Sequence, residues 1–304
     1  MMLYKYRAPV NFSNPDSGYT ARIFIDSQLY FAKLSTFNDP FEGLIELEVH
    51  QSKEEAIDRH FRVLRSRERA RDVLSNPFPF TWNNAKSTID KIFEKVIAGE
   101  YIDHNKYYKE VMDDYGVLAL CENPDNLLLW AHYATEHRGL CLGFEWAETK
   151  LPKAEEVIYQ TNYRKIDFWF HTEDELAQIA LLQKSSDWSY EREHRSIWKP
   201  LYEEYEEFRP DENYFKKLKE IKDSSFLKEQ LKRDYTFAYQ RVKNVGHGAK
   251  TFQKNSLKEV IFGLRMTKNE RKQHIDFITS LGYRPEFKIA KRATEQYKLQ
   301  ITSA

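Results

Sequence analysis

The segment from Trp188 to Arg195 combines aromatic residues with carboxylates and guanidinium groups in the order WSYEREHR. If it is a strand, Glu191, Glu193 and Arg195 lie on one face, because strand side chains alternate between faces. Two carboxylates so near to each other repel unless a cation or a ligand lies between them, and their repulsion raises the pKa of one of them. If the segment is a helix, Glu191 and Arg195 form an ordinary ion pair one turn apart. The residues therefore allow either catalytic carboxylates, Glu193 and Glu191, or a structural ion pair.

The turn Asn38-Asp39-Pro40-Phe41-Glu42-Gly43 is a second candidate. Asn38 and Asp39 are suited to bonding neighbouring backbone donors, and Pro40 fixes the direction of the chain. A rigid turn accounts for all of these residues. The alternative is that Asp39 or Glu42 presents a carboxylate to a cleft.

The run Trp130-Ala131-His132-Tyr133 lies in a predicted helix. Trp130 and Tyr133 can face the core, while His132 lies about 100° away from Tyr133 around the helix axis. These residues form either an aromatic core cluster or a stacking platform for a flat ligand, with His132 as a donor.

Tyr6 and Arg7 again place a ring beside a cation, at the end of the first predicted strand. All four segments lie at predicted element ends, where folds commonly carry their sites. We therefore expect the four segments to converge on one cleft.

Composition restricts the partners of the chain. Lys plus Arg and Asp plus Glu both number 47, so no net field attracts nucleic acid or membrane. A local stripe, Arg62, Arg65 and Arg69 on a predicted helix, could contact phosphate groups, although nearby acidic residues favour a solvated helix face. No apolar run reaches the roughly 18 residues of a membrane helix, and no signal peptide is evident, so we expect a cytoplasmic protein without membrane contact.

Metal and mononucleotide motifs are missing from the sequence. His132 and His137 lie five residues apart and so on different faces of a helix, and there is no paired-cysteine motif, so no metal site is expected. The run Gly246-His247-Gly248-Ala249-Lys250-Thr251 breaks the order of a phosphate-binding loop, in which lysine directly follows the last glycine. Cys121 and Cys141 are expected to be buried, unpaired thiols on adjacent core strands.

Hydrophobic periodicity predicts an α+β fold with a mixed or antiparallel central sheet and flanking helices. We expect one domain over residues 1–304, with helical insertions near 50–112 and 200–250, the second mainly helical as far as Lys243. Core strands are predicted near 3–7, 29–32, 116–121, 138–144, 156–163, 191–198 and 260–264. Helices are predicted near 17–27, 124–134, 174–184 and 267–281.

Together these motifs resemble a bacterial family catalogued as domain of unknown function 2971. The residues that carry the resemblance are the runs YKYR at 4–7, LYF at 29–31, FNDPFE at 37–42, LLWAHYA at 128–134 and GLCLGF at 139–144, followed by Lys184, Trp188, Tyr190, Glu191, Glu193 and Arg195. The resemblance runs from residue 3 to about 265. It implies no established activity.

The order of the motifs is also similar to that of the ADP-ribosyltransferase scaffold, in which Arg7, Tyr30 and Glu191 or Glu193 would take the key positions. This second likeness implies NAD as substrate. A carboxylate would stabilise the cation formed when the nicotinamide–ribose bond breaks, and a guanidinium, Arg7 or Arg195, would hold the pyrophosphate. The binding residues would be Tyr6, Arg7, Tyr30, Asn38, Asp39, Trp130, Tyr133 and Arg195.

The leading expectation is thus an ADP-ribosyltransferase-like transferase, as a bacterial effector or phage-defence toxin. A binding or sensor module for a nucleotide or nucleic acid, without catalysis, is the alternative. A metal-independent nuclease is the third possibility, with His132 as base and Arg195 holding phosphate.

Overall fold

The computed structural model describes residues 1–14, 18–48, 53–55, 57–58, 86, 90, 112–167, 173–208, 210–221 and 224–304. These residues form an eight-stranded sheet of β1 (Met2–Arg7), β4 (Gly116–Cys121), β5 (Leu140–Glu145), β6 (Ala154–Glu156), β10 (Glu193–Trp198), β14 (Leu257–Phe262), β15 (Glu286–Arg292) and β16 (Leu299–Ser303). The order of the strands in the sheet is β16-β15-β14-β5-β1-β4-β10-β6. Only β14 and β15 pair in parallel among these neighbours, so the predicted α+β fold with a mixed sheet is confirmed.

Smaller elements surround this sheet. Four two-stranded sheets pair β2 (Gln28–Phe31) with β13 (Gly248–Thr251), β3 (Glu46–Glu48) with β8 (Lys165–Asp167), β7 (Ile158–Gln160) with β9 (Gln183–Ser185), and β11 (Leu201–Phe208) with β12 (Thr236–Asn244). Helices in the described part of the chain include α1 (Tyr19–Ile25), α2 (Leu127–Tyr133), α3 (Glu173–Leu181), α4 (Glu212–Glu220), α5 (Ser225–Asp234) and α6 (Lys268–Ser280).

Strand β1 lies inside the central sheet, and its side chains pack on both faces. Leu3 packs into the cluster with Phe24, Phe144 and Phe262, while Tyr6 points into the opposite cluster with Trp130. The Tyr6 and Trp130 rings meet edge to face, with centroids 5.1 Å apart. This alternation is what a strand covered on both faces requires.

The two sides of β1 are paired unequally. All six residues from Met2 to Arg7 pair with β5, but only Tyr4 pairs with β4, opposite Cys121. The strands β1 and β4 therefore diverge beyond Tyr4, within the sheet.

Local sequence explains where the helices begin and end. Asn126 caps α2 by accepting hydrogen bonds from the backbone of Leu128 at 2.9 Å and Leu129 at 3.2 Å. Thr267 and Glu270 form a capping box at α6, which is followed by Gly282 with φ of 87°.

The connection after α2 passes very close to the backbone of β1. A β-carbon on Gly139 would lie 2.1 Å from the carbonyl oxygen of Arg7. Glycine is thus required for the close approach of this connection to β1.

Several local expectations are corrected. Cys121 and Cys141 are both buried and free, as predicted, but β1 lies between their strands, so the strands are not adjacent. The single strand expected at 156–163 is two short strands, because β6 pairs with β10 and β7 pairs with β9. Helix α3 ends at Leu181, earlier than expected.

The two expected insertions have different outcomes. Within 200–250, helices α4 and α5 are present, but the residues up to Lys243 form the strand β12 instead of a continued helix, paired along β11. Most of 50–112, including Arg62, Arg65 and Arg69, lies outside the described residues.

Candidate functional site

The divergence of β1 from β4 opens a cavity of about 350 Å³, called the main cavity below. Its walls come from β1, β4, the segment after β2, α2 and the region around β10. They are lined by Tyr4, Lys5, Tyr6, Arg7, Thr36, Phe37, Asn38, Ala119, Leu120, Cys121, Leu129, Tyr133, Lys184, Glu191 and Glu193.

All four segments singled out in the sequence reach the main cavity. Tyr6 and Arg7 come from the first, Asn38 from the second, Tyr133 from the third, and Glu191 and Glu193 from the fourth. The four segments therefore reach one cavity, although Asp39 and His132, which were expected there, do not line it.

Lys184 lies between the two carboxylates and removes their repulsion. Its Nζ donates to Glu191 Oε2 at 2.6 Å and to Glu193 Oε2 at 2.8 Å. All three side chains are almost completely buried. The ammonium group therefore takes the position of the cation that the sequence requires between the two glutamates.

Backbone geometry brings both glutamates to Lys184. The sequence predicts Glu191 in a strand, but the structure places it at the end of a 3-10 helix from Ser186 to Glu191. Arg192 follows in the left-handed region with φ of 44°, and β10 begins at Glu193. This reversal, uncommon for a residue other than glycine, places Glu191 and Glu193 on the same cation.

Arg195 completes the buried ion cluster, which consists of Glu42, Lys184, Glu191, Glu193 and Arg195. Its Nε donates to Glu193 Oε1 and its Nη2 to Glu42 Oε1, both at 2.7 Å, and its Nη1 donates to the Leu181 carbonyl at the same distance. The side chain is fully buried and does not line the main cavity. Arg195 is therefore a structural partner of the carboxylates and is not free to hold a phosphate.

The charges in the cluster shift one another. Burial alone would raise the pKa of Glu193, but Arg195 and Lys184 outweigh it and lower that pKa to about 2. Burial opposes the charge of Lys184, and the two glutamates outweigh it, so the pKa of Lys184 is raised. Burial raises the pKa of Glu42 despite Arg195, and its Oε2 has no hydrogen-bond partner. Glu193, Lys184 and Arg195 are therefore all charged at neutral pH.

Glu191 accepts, in addition to the Lys184 bond, a hydrogen bond from a phenol on the cavity wall. Tyr133 donates its hydroxyl to Glu191 Oε1 at 2.9 Å, and the Asn38 amide lies 3.4 Å from the same hydroxyl. Because Tyr133 and Asn38 both line the main cavity, these hydrogen-bonded side chains offer donors and acceptors to a ligand.

The β1 wall of the main cavity carries two cations. Burial and the nearby charge of Arg7 lower the pKa of Lys5 to about 8, and Lys5 Nζ donates to the Ala119 carbonyl at 2.7 Å. Burial also lowers the pKa of Arg7, with the Tyr19 phenol acting in the opposite direction. Arg7 Nε is buried without a hydrogen-bond partner, and no carboxylate pairs with Arg7 in the described part of the chain.

The remaining predicted site residues lie elsewhere. Trp130 is fully buried and donates its indole N–H to the Pro124 carbonyl, so its ring is not open to a ligand. His132 is exposed and outside the cavity wall. Asp39 is buried, with Oδ1 accepting from the Phe41 backbone at 2.9 Å, as a turn-forming residue does. Tyr30 is half exposed and lies beside a second cavity.

Lys184 is the site residue that sequence reasoning missed as a functional group. The available signal was the repulsion between Glu191 and Glu193, which demands a nearby cation. Among the described residues, no group of His, Cys, Asp and Glu side chains is arranged to hold a metal ion. No described helix is long and apolar enough to cross a membrane.

Comparison with known proteins gives one match. Residues 129–196 match the model of the family described as "Protein of unknown function (DUF2971)", while no curated protein and no solved structure matches the chain. The matched region contains Tyr133, Lys184, Glu191, Glu193 and Arg195, and so covers most of the buried ion cluster. Residues 129–196 are thus similar to this family of unknown function.

Proposed function

We propose that the protein binds a nucleotide in the main cavity, with a phosphate group held by Lys5 and Arg7. The observation that carries this proposal is the Arg7 guanidinium, which lines the cavity and has no carboxylate partner in the described chain. Removing a charge from water without a partner is costly, so an anionic ligand would stabilise this site. Arginine binds phosphate through two parallel N–H donors.

The other walls suit the remainder of a nucleotide. A volume of about 350 Å³ lies in the range of ordinary small-molecule sites. Asn38, Tyr133 and Glu191 provide an amide, a hydroxyl and a carboxylate that can bond to ribose hydroxyls or base edges. An inorganic anion would leave these groups unused.

The test is calorimetric binding of nicotinamide mononucleotide and AMP to the wild type and to Arg7→Gln. Arg233→Gln is the matched control, because Arg233 is exposed on α5 and lies outside the cavity wall. A hydrogen bond to a charged group contributes roughly 1.5–3 kcal/mol, so Arg7→Gln should weaken binding by about ten- to a hundredfold. The control should bind as the wild type does.

Two results would refute nucleotide binding at this cavity. One is a wild type that binds neither mononucleotide. The other is an Arg7→Gln variant that folds normally and keeps wild-type affinity.

A second candidate function is cleavage of NAD at the nicotinamide–ribose bond, with transfer of ADP-ribose. It is favoured by the presence of carboxylates and unpaired cations on walls of the same cavity. A carboxylate near the ribose stabilises the oxocarbenium-like transition state. Glu191 is the better catalytic residue, because both oxygens of Glu193 are held by Arg195 and Lys184, whereas Glu191 Oε1 accepts from Tyr133 on the cavity wall.

This candidate is tested by incubating the protein with labelled NAD and cell lysate. Nicotinamide release and label transfer are expected from the wild type and should fall about a hundredfold or more in Glu191→Gln. Binding of NAD without any release of nicotinamide would instead identify a binding or sensor module. The nuclease alternative is not retained, because His132 lies outside the cavity and Arg195 is buried in the ion cluster.

A further inference from the structure

A second cavity of about 250 Å³ shares Lys5 and Arg7 with the main cavity. From this arrangement we infer that the ligand is a dinucleotide: its diphosphate lies on Lys5 and Arg7, one nucleoside occupies the main cavity, and the second base lies in the second cavity. The inference rests on the proposed nucleotide binding and extends it from one nucleoside to two.

The shared cations have the placement that a diphosphate needs. Lys5 and Arg7 are two residues apart on β1 and therefore lie on one face of that strand. Both line both cavities, so a group bound to them has a cavity on either side. A mononucleotide would occupy one side and leave the other empty.

The second cavity has the walls of a base-binding site. Its floor is formed by the buried side chains of Ile23, Leu29 and Leu118. Its rim carries the rings of Tyr19 and Tyr30, which are 68% and 49% exposed and have centroids 5.8 Å apart. Exposed aromatic rings above an apolar floor bind flat bases by stacking, without requiring one particular base.

The two cavities differ in chemistry, and this difference indicates which nucleoside of the dinucleotide each cavity binds. The main cavity contains the carboxylates and the Asn38–Tyr133 donors, whereas the second cavity lacks carboxylates among its described lining residues. A half that makes several polar contacts or carries positive charge fits the main cavity, and a half recognised mainly by its flat face fits the second.

The experiment compares NAD with nicotinamide mononucleotide and AMP on the full chain by calorimetry. NAD should bind at least tenfold more tightly than either mononucleotide. Tyr30→Ala should weaken NAD binding by roughly fivefold to 150-fold, the range expected for one stacked base. The same variant should leave the affinity for nicotinamide mononucleotide unchanged, because that ligand fits the main cavity alone.

Tyr297→Ala is the matched control, since Tyr297 is fully exposed and lines neither cavity. The inference is overturned if NAD binds no more tightly than the mononucleotides, or if Tyr30→Ala and Tyr297→Ala bind NAD equally. Either result leaves the proposed function standing as long as mononucleotide binding depends on Arg7. Loss of that dependence would refute the proposed function separately.

Discussion

Replacing Glu193 with glutamine tests whether the buried ion cluster holds the fold together. The carboxylate accepts from Arg195 Nε at 2.7 Å, from Arg195 Nη2 at 3.2 Å and from Lys184 Nζ at 2.8 Å. Glutamine keeps the shape, but its amide nitrogen is a donor and would face one of these cations. Removing one partner of a buried ion pair costs about 3–5 kcal/mol. The lowered pKa of Glu193 points in the same direction, because Arg195 and Lys184 stabilise its ionised form.

Urea unfolding at pH 7, followed by circular dichroism, measures this loss. Glu155→Gln is the control, because Glu155 is exposed on β6 and pairs with Arg195 in the sheet register. We expect Glu193→Gln to lower the free energy of unfolding by about 3–5 kcal/mol, and the control to change it by less than about 0.5 kcal/mol. A loss below about 1 kcal/mol for Glu193→Gln would show that the cluster does not stabilise the fold through this carboxylate.

The remaining predictions concern pH, thiols and one close contact. The pKa of Glu193 is lowered in the folded state, so its contribution to the free energy of unfolding is complete above pH 4.5 and is lost as the pH falls towards 2. Between these pH values the free energy of unfolding should therefore fall more steeply for the wild type than for Glu193→Gln. The pKa of Lys5 is about 8, so affinity for nucleotide should fall as the pH rises above 8, while Lys5→Arg, which stays charged, should remove this dependence; a flat wild-type profile contradicts it. Cys121 and Cys141 should react with a thiol reagent only after unfolding, since both are buried and burial raises the pKa of Cys121 to about 12; labelling within minutes in native buffer would argue against this. Gly139→Ala should destabilise the protein by about 2 kcal/mol or more in urea unfolding, because its β-carbon would overlap a main-chain oxygen of β1; unchanged stability would mean that this contact relaxes freely.

The parts of the fold that local sequence determines were predictable. Gly116–Cys121 forms the predicted strand because its apolar run is buried on both faces of the sheet. Helix α6 begins after Thr267 and ends before Gly282, where the capping residues indicate. The pairing of an aromatic ring with a charge also identified the segments that meet at the main cavity.

Other features depend on contacts between distant residues. The order of strands places β1 between β4 and β5, which local patterns in those strands do not encode, and so Cys121 and Cys141 were wrongly expected on neighbouring strands. Arginine seldom adopts a left-handed conformation, so the reversal at Arg192 could not be predicted from its type. Lys184 was assigned to the end of a helix, whereas it lies in β9, where it reaches both glutamates.

The central position of β1 also determines when the molecule can become complete during synthesis. The ribosome makes β1 before both of its partners, β4 and β5, which follow after more than a hundred residues. At about 5–20 residues per second, Leu3, Tyr4 and Tyr6 wait roughly 5–20 s without their strand neighbours. An apolar strand left unpaired for that time is a target for chaperones and for aggregation. The cations Lys5 and Arg7 thus precede most of their cavity, which is complete only after the chain has passed Glu193.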